Sequence, residues 1–195
     1  MPVIFTDREE ARNKMLENGF RLMKKIGAKG MTVSAIIKAC GIARATFYTF
    51  FKSKEEFIYQ IFAYQRNISK QKFEELFEKN GLLGREQMAE YFYFIESDNV
   101  NFYQNLNEED ITYILAKWPH IYIFNPDNDK KICQWMLQKM ENPSPDCDWK
   151  VFANLLKNFG ILNMTRDLIH RDVFLETKNV LIEGLLDYLF GKSKN

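Results

Sequence analysis

The sequence is poor in cysteine, histidine and proline, and it has no long apolar run among its 195 residues. Its three cysteines, Cys40, Cys133 and Cys147, are too few and too widely spaced for a disulfide framework or a zinc site. No run approaches the roughly 18 apolar residues of a membrane span, and the first residues lack the apolar core of a secretory signal. These absences predict a cytoplasmic protein without a membrane partner.

Patterns typical of catalysis or metal binding are missing as well. His120 and His170 stand far apart, and neither has a cysteine or carboxylate pattern beside it. The sequence has no glycine-rich phosphate loop and no serine or cysteine nucleophile motif. We therefore expect no catalytic residue, no metal and no cofactor, and we do not expect an enzyme.

The chain is rich in aromatic residues, and its charge is unevenly distributed. It holds 17 phenylalanines and nine tyrosines, which need a large core, an oligomer interface or a ligand cavity to cover them. Residues 1–60 contain 11 Lys and Arg against six Asp and Glu, whereas the remainder contains 16 against 20. A basic N-terminal part on an acidic remainder indicates that only the N-terminal part meets a polyanion.

Apolar spacing predicts an all-α fold of about nine helices, because no alternating strand pattern persists and turn signals separate segments of helical length. Residues 6–53 are predicted to form a three-helix head with a helix-turn-helix. Residues 54–195 are predicted to form a helical body.

The helix-turn-helix is predicted from two short helices, Val33–Cys40 and Arg44–Phe50, which a turn at Gly41 joins. Phe47 and Phe51 are four residues apart and are expected to be buried against the first helix. Short helices of this length need such packing, since they are not stable alone in water.

Four residues remain on the outer face of the second short helix, namely Arg44, Ala45, Tyr48 and Thr49. Arg44 can contact guanine in a bidentate way, whereas Tyr48, Thr49, Thr32 and Lys54 suit phosphate oxygens. The alternative is an ordinary helical corner whose basic residues are merely solvated.

The stretch TVSAIIKACGIARATFYTFFKSKEEF, from Thr32 to Phe57, resembles the TetR family of tetracycline-repressor-like regulators. The residues that carry the resemblance are Thr32, Ile36, Gly41, Ile42, Thr46, Tyr48, Phe51, Ser53, Lys54 and Glu55. The resemblance implies a homodimer on a near-palindromic operator of double-stranded DNA, and a body that binds a small molecule. It further implies backbone contacts by Thr32, Tyr48 and Lys54, and base contacts by Ser34 and Arg44. The predicted DNA-contacting set is Thr32, Ser34, Arg44, Ala45, Thr46, Tyr48, Thr49 and Lys54.

The sequence departs from the family pattern at three positions. Ala43 stands where a capping Ser or Thr is frequent, Ala45 replaces a common Gly, and Phe50 replaces the usual Tyr or His. The leading interpretation is a ligand-responsive homodimeric regulator, with repression as the commoner outcome in the family. The alternative is a ligand-binding or interaction protein whose helix-turn-helix is only structural.

Aromatic and apolar residues of the body give two further predictions. The first is a cavity for a small apolar or aromatic ligand, although a well-filled core explains the same residues; its candidates are Phe92, Ile95, Phe102, Tyr113, Trp118, Trp135 and Phe152. The second is a dimer interface through the last two helices, which are apolar on more than one face. Its candidates are Phe152, Leu156, Gly160, Leu181, Gly184, Leu185 and Tyr188.

Overall fold

The computed structural model describes residues 7–101, 103, 106–118, 126–165 and 168–192, and most of them lie in helices. The α-helices are α1 Arg8–Gly30, α2 Val33–Cys40, α3 Arg44–Phe50, α4 Lys54–Asn80, α5 Arg85–Ile95, α6 Glu108–Lys117, α7 Pro126–Leu137, α8 Trp149–Met164 and α9 Phe174–Phe190. A 3₁₀ turn, Arg171–Val173, precedes α9. Over these described residues, the predicted all-α fold with about nine helices is confirmed. No helix in the described ranges is both long enough and apolar enough to cross a membrane.

The chain packs as two compact units. The head unit takes the described residues of Met1–Ile68 and Asn105–Pro119, so it contains α1 to α3, the first half of α4, and α6. The body unit takes those of Ser69–Gln104 and His120–Asn195. The functional boundary between residues 53 and 54 stays a prediction, because these units are divided by packing alone.

An aromatic cluster forms the core of the head unit. Phe47 and Phe51 are buried as predicted, with ring centroids 5.7 Å apart, and the ring of Phe57 lies 4.8 Å from that of Phe51. Gly19 of α1 allows this packing, since a Cβ there would lie only 2.4 Å from Phe57. The helix-turn-helix is thus held by rings on α3 and α4 that pack against α1.

The body unit has a larger core of mixed aliphatic and aromatic residues from α4, α5, α7, α8 and α9. Its fully buried side chains include Phe73, Phe92, Phe152, Leu185 and Leu189. Helices α7 and α8 pack against each other, as do α5 and α9 and also α8 and α9.

Candidate functional site

The turn between α2 and α3 depends on one cap and one glycine. The hydroxyl of Thr32 accepts a hydrogen bond of 3.1 Å from the N–H of Ala35 and so begins α2. Gly41 ends α2 with φ 65° and ψ 33°, the left-handed conformation that favours glycine. Helix α3 then begins after Ala43, whose side chain cannot cap it. Packing of α3 must therefore supply the stability that a cap would give.

Helix α3 presents a polar outer face while Phe47 anchors its inner face. Arg44, Ala45, Tyr48 and Thr49 are exposed, and Thr46 is half-buried. The guanidinium of Arg44 lies 5.6 Å from the ring centroid of Tyr48, and one of its nitrogens lies 3.5 Å from the Tyr48 hydroxyl. The ring thereby supports the guanidinium at the surface, where its donors can reach guanine or phosphate oxygens.

Two other predicted DNA-contacting residues, Ser34 and Lys54, differ in the surroundings of their side chains. Ser34 is exposed on the first turn of α2. The ammonium of Lys54 instead donates a hydrogen bond of 3.0 Å to the carbonyl of Met31 and lies 5.1 Å from the ring centroid of Tyr113. A phosphate contact by Lys54 would use the donors of its ammonium that are not bonded to Met31.

Sequence reasoning missed Arg8, a second exposed arginine beside α3. Its guanidinium donates a hydrogen bond of 3.3 Å to the carbonyl of Thr49 and lies 5.7 Å from the ring centroid of Phe50. Arg44 begins α3 and Arg8 contacts its end, so cations lie at both ends of the helix. The sequence shows Arg8 only as one base among the acids of a first turn, and it carries no signal for this contact.

Two residues predicted for the ligand cavity, Tyr113 and Trp118, lie in the head unit. The hydroxyl of Tyr113 donates to a carboxylate oxygen of Glu55 over 3.1 Å, and burial together with this bond raises the pKa of Tyr113 to about 12. The ring of Trp118 lies 6.3 Å from that of Tyr59 and 6.4 Å from that of Phe62. These side chains join α6, and the residue that follows it, to the first half of α4.

Asp110 of α6 fits into a kink of α1 at Gly27. Gly27 has φ 72° and ψ 164° inside α1, and a Cβ there would lie 2.5 Å from the carboxylate of Asp110. One oxygen of that carboxylate accepts a hydrogen bond of 2.8 Å from the N–H of Lys29, and the other accepts from the N–H of Asn107 over 3.3 Å. Helix α1 is interrupted at Gly27 and then continues to Gly30. A buried carboxylate thus links α6 to the main chain of α1.

The remaining ligand candidates are distributed differently. Phe92, Ile95, Trp135 and Phe152 belong to the core of the body unit or pack against it, and Phe92 and Phe152 are fully buried. Phe102 lies outside the described residues. Their role in ligand binding stays a prediction, and their observed role is packing.

A recess of about 190 Å³ lies between α7 and α8, and none of the predicted ligand residues lines it. Its walls include Tyr103, Asp129, Cys133, Leu156, Lys157 and Gly160. The ammonium of Lys157 pairs with a carboxylate oxygen of Asp129, and only 20% and 14% of these two side chains are exposed. Burial and the nearby charge of Asp129 raise the pKa of the Cys133 thiol to about 12, so it stays protonated at neutral pH.

The predicted dimer residues are partly enclosed by their own unit. Phe152, Gly160 and Leu185 are buried, whereas Leu156, Leu181 and Tyr188 are half-buried and Gly184 is exposed. The hydroxyl of Tyr188 accepts a hydrogen bond of 2.8 Å from the N–H of Asp148, at the start of α8. The most exposed large apolar residues of the described chain are nearby in sequence, with Leu168, Leu175 and Val180 at 85%, 70% and 66%.

Comparison with known proteins identifies the N-terminal part of the chain. Residues 15–61 match the model of the family described as bacterial regulatory proteins, tetR family. The match spans most of α1, all of α2 and α3, and the start of α4. The resemblance read from the sequence is confirmed, and this part of the chain has the helix-turn-helix that the tetR-family model describes. No curated protein matches the chain significantly in sequence.

Solved structures extend the similarity of fold to most of the chain. NemR of E. coli in its reduced form is 14% identical, with 95% of this chain and 100% of that chain covered and a TM-score of 0.69. A TetR-family transcriptional regulator from Streptomyces coelicolor is 16% identical, with 91% and 95% covered and a TM-score of 0.60. FadR from Bacillus subtilis in complex with stearoyl-CoA is 17% identical, with 90% and 97% covered and a TM-score of 0.51. The shared property at these identities is the fold of TetR-type regulators.

Proposed function

We propose that this chain, whose N-terminal part is a TetR-type DNA-binding domain, is a homodimeric transcriptional repressor that a small molecule releases from its operator. The observation that carries the proposal is the outer face of α3, where Arg44, Tyr48 and Thr49 are exposed above the buried anchor Phe47. The seven residues of α3 extend about 10 Å, a length that suits insertion into a major groove.

The roles on this face follow from donor geometry. Arg44 is proposed to read guanine, because its planar guanidinium can donate two parallel hydrogen bonds. Thr32 and Arg8 are proposed to contact the phosphate backbone, which orients the head without specifying sequence. Ser34, exposed on the first turn of α2, is proposed to contact a base. Tyr48 has a double role in this proposal, since its ring supports Arg44 and its hydroxyl can reach a phosphate.

Exposed apolar surface supports a dimer. Leu175 and Val180 of α9, and Val151 and Ile161 of α8, are all large apolar residues that are more than 40% exposed. We propose that a second copy of the chain covers the face of α9 on which Val180 and Gly184 lie four residues apart, with Gly184 allowing close approach because no other described group lies within 4 Å of its Cβ position. The enclosed residues Phe152 and Leu185 would support the interface from beneath.

Control by a ligand would act on the spacing of the two heads. Recognition helices must lie about 34–36 Å apart to occupy successive major grooves. A ligand that binds better to a conformer with another spacing lowers the DNA-bound population, by no more than its differential affinity. Helix α4 is continuous from Lys54 to Asn80 and is the element proposed to carry the change. A protein of similar fold is solved with stearoyl-CoA, which supports a ligand role for this kind of body.

Selection of bound sequences from a random duplex pool tests the function. Purified protein at near-physiological salt should enrich one near-palindrome whose half-sites lie one helical turn apart. If no sequence is enriched and retention disappears with modest salt, the head is only a basic surface. The structural role of the helix-turn-helix would then be the better interpretation.

Arg44→Ala tests the assignment of the base contact. We expect it to weaken operator binding by about 1–3 kcal/mol and to relax the preference at one base pair of each half-site. The measurement is a titration by fluorescence anisotropy on the selected operator and on its single-base variants. Arg21→Ala is the matched control, because Arg21 is an exposed arginine of α1 that hydrogen-bonds to Asn18 over 3.4 Å. Equal binding and an equal base preference for the two variants would contradict the role given to Arg44.

A further inference from the structure

The recess between α7 and α8 combines apolar walls with one largely buried ion pair. Ile132, Cys133, Ala153 and Leu156 supply apolar surface, while Lys157 and Asp129 supply the charges. Pockets of this composition bind ligands through their walls and orient them through their few polar groups. All these residues belong to the body unit.

The volume of the recess limits the size of an occupant. An apolar cavity of about 150 Å³ holds one benzene molecule. At about 190 Å³, this recess has room for a single ring with a small substituent. The ring of Tyr103 forms one wall, 3.5 Å from the Cβ position of Gly160, and presents a flat surface on which such a ring can pack.

The ion pair leaves hydrogen-bonding capacity on both partners. An ammonium has three donors, and a carboxylate has two acceptor oxygens. Within the described part of the chain, the Lys157 ammonium and the Asp129 carboxylate make only the one bond that joins them. A largely buried pair is favourable only when further hydrogen bonds satisfy these remaining donors and lone pairs.

A hydroxyl group meets both requirements at once, because its oxygen can accept from the ammonium while its hydrogen is donated to the carboxylate. A carboxylate ligand would have to compete with Asp129 for Lys157, and a purely apolar ring would leave the pair as it is. The complementary group is therefore neutral and both donates and accepts.

We propose that this recess is the effector site and that it takes a phenol-sized aromatic ligand, with its hydroxyl bonded to both Lys157 and Asp129 beside the contact that joins them and its ring beside Tyr103. The proposal rests on the proposed function, since it treats the body unit as the part that receives the effector. It adds the position of the site and the chemical class of the ligand.

The test compares three probes of one ring each on the full-length protein, namely phenol, toluene and benzoate. Binding is followed by NMR through the methyl signals of Ala153 and Leu156, which line the recess. We expect phenol to shift these signals at a concentration at least about tenfold lower than toluene or benzoate does, because a hydrogen bond to a charged group is among the stronger ones. Equal binding of toluene, stronger binding of benzoate, or no binding of phenol would each overturn the proposal.

Lys157→Met removes the ammonium while keeping much of the side-chain volume. We expect it to weaken phenol binding about tenfold and to leave toluene binding nearly unchanged. Lys150→Met is the matched control, since Lys150 is an exposed lysine of the same helix that does not line the recess. An equal loss of phenol affinity in both variants would overturn the role of Lys157. The comparison of probes on the unmodified protein does not depend on how either variant folds.

Operator binding is measured separately, so the two proposals can fail separately. If the protein binds phenol selectively but enriches no DNA sequence, the proposed ligand site is supported and the proposed function as a DNA-binding regulator is overturned. Enrichment of an operator by a protein that does not bind phenol would support the regulator and overturn the site.

Discussion

Asp110 in the head unit and Glu96 in the body unit are both buried carboxylates, with 2% and 7% exposed, but different kinds of donor hold them. Main-chain N–H groups of Lys29 and Asn107 donate to Asp110. Side chains hold Glu96: Asn101 and Asn163 each donate to it over 2.9 Å, and the ammonium of Lys178 lies 3.1 Å away.

The kind of donor decides which feature of the chain each buried carboxylate site depends on. Main-chain donors have positions set by the backbone itself, so the head site depends on a backbone conformation that only glycine adopts easily at Gly27. Side-chain donors can each be removed by one substitution, so the body site depends on the identity of residues from α8, α9 and the segment after α5. The stability of the head unit should therefore be most sensitive to substitution of a glycine. The stability of the body unit should be most sensitive to substitution of a charged residue.

The largest effect is expected from Lys178→Met in the body unit. The ammonium of Lys178 also donates to the main-chain carbonyl of Glu96 over 2.8 Å. Removing it takes a charged hydrogen-bond donor from a buried carboxylate, which should lower the free energy of unfolding by about 3–5 kcal/mol. Urea denaturation followed by circular dichroism measures this loss.

Lys150→Met serves as the control for that prediction, because an exposed lysine should change the free energy of unfolding by less than about 0.5 kcal/mol. Adding Glu96→Gln to Lys178→Met should recover part of the lost free energy of unfolding, since a neutral amide then replaces the buried carboxylate. If Lys178→Met and Lys150→Met unfold at the same urea concentration, the buried pair does not stabilise the body.

The same contrast explains what the sequence could predict. The helix-turn-helix was predicted correctly because its signals are local: a capping Thr32, a turn at Gly41, and the rings of Phe47 and Phe51 four residues apart. Tyr113 was assigned to a ligand cavity, yet it contacts Glu55, 58 residues earlier in the chain. Asp110 likewise contacts Lys29, 81 residues earlier in the chain. Spacing within one helix cannot indicate which other helix its side chains will meet.

The recess was missed for a related reason. Aromatic residues were expected to line a cavity, but in the body unit Phe92 and Phe152 fill the core. Lys157 and Asp129 are ordinary surface-type residues in the sequence, and their pairing depends on how α7 packs on α8. Whether a charged side chain is buried depends on tertiary packing, and the spacing of apolar residues along the sequence does not predict it.

A smaller effect is expected from Gly27→Ala in the head unit. A residue with φ 72° and ψ 164° lies in a region that is nearly exclusive to glycine, and the added methyl group would displace the Asp110 carboxylate. We expect the free energy of unfolding to fall by about 2–4 kcal/mol, as backbone strain adds to lost hydrogen bonds. Urea denaturation of purified protein gives the value.

Gly191→Ala in the body unit is the matched control. Gly191 has nearly the same conformation, φ 81° and ψ 164°, and its Cβ position meets no group of the described chain within 4 Å. It should cost only the backbone strain, about 1 kcal/mol near the end of the last helix. Equal losses for the two glycine variants would mean that the Asp110 contact contributes nothing beyond the backbone conformation.

The smallest effect is expected from Tyr113→Phe, which removes one hydrogen bond between α6 and α4. At pH 7 the loss should be about 0.5–1.5 kcal/mol. The pKa of Tyr113 is raised from 10 to about 12 in the folded head, first by burial and then by Glu55. Folding therefore favours the protonated tyrosine, and this contribution is fully present below pH 10 and is lost as the pH rises toward 12.

Phenylalanine cannot ionise, so the stability gap between the native protein and Tyr113→Phe should narrow between pH 10 and pH 12. Thermal unfolding at pH 7 and at several alkaline values measures this gap. Tyr64→Phe is the matched control, because Tyr64 donates a similar bond of 2.9 Å to Glu17 and has its pKa raised to about 12 within the same unit. Both gaps should narrow, because each variant removes one ionisable hydroxyl whose pKa is raised in the folded head unit. A gap that stays constant up to pH 12 would show that folding does not raise the pKa of Tyr113.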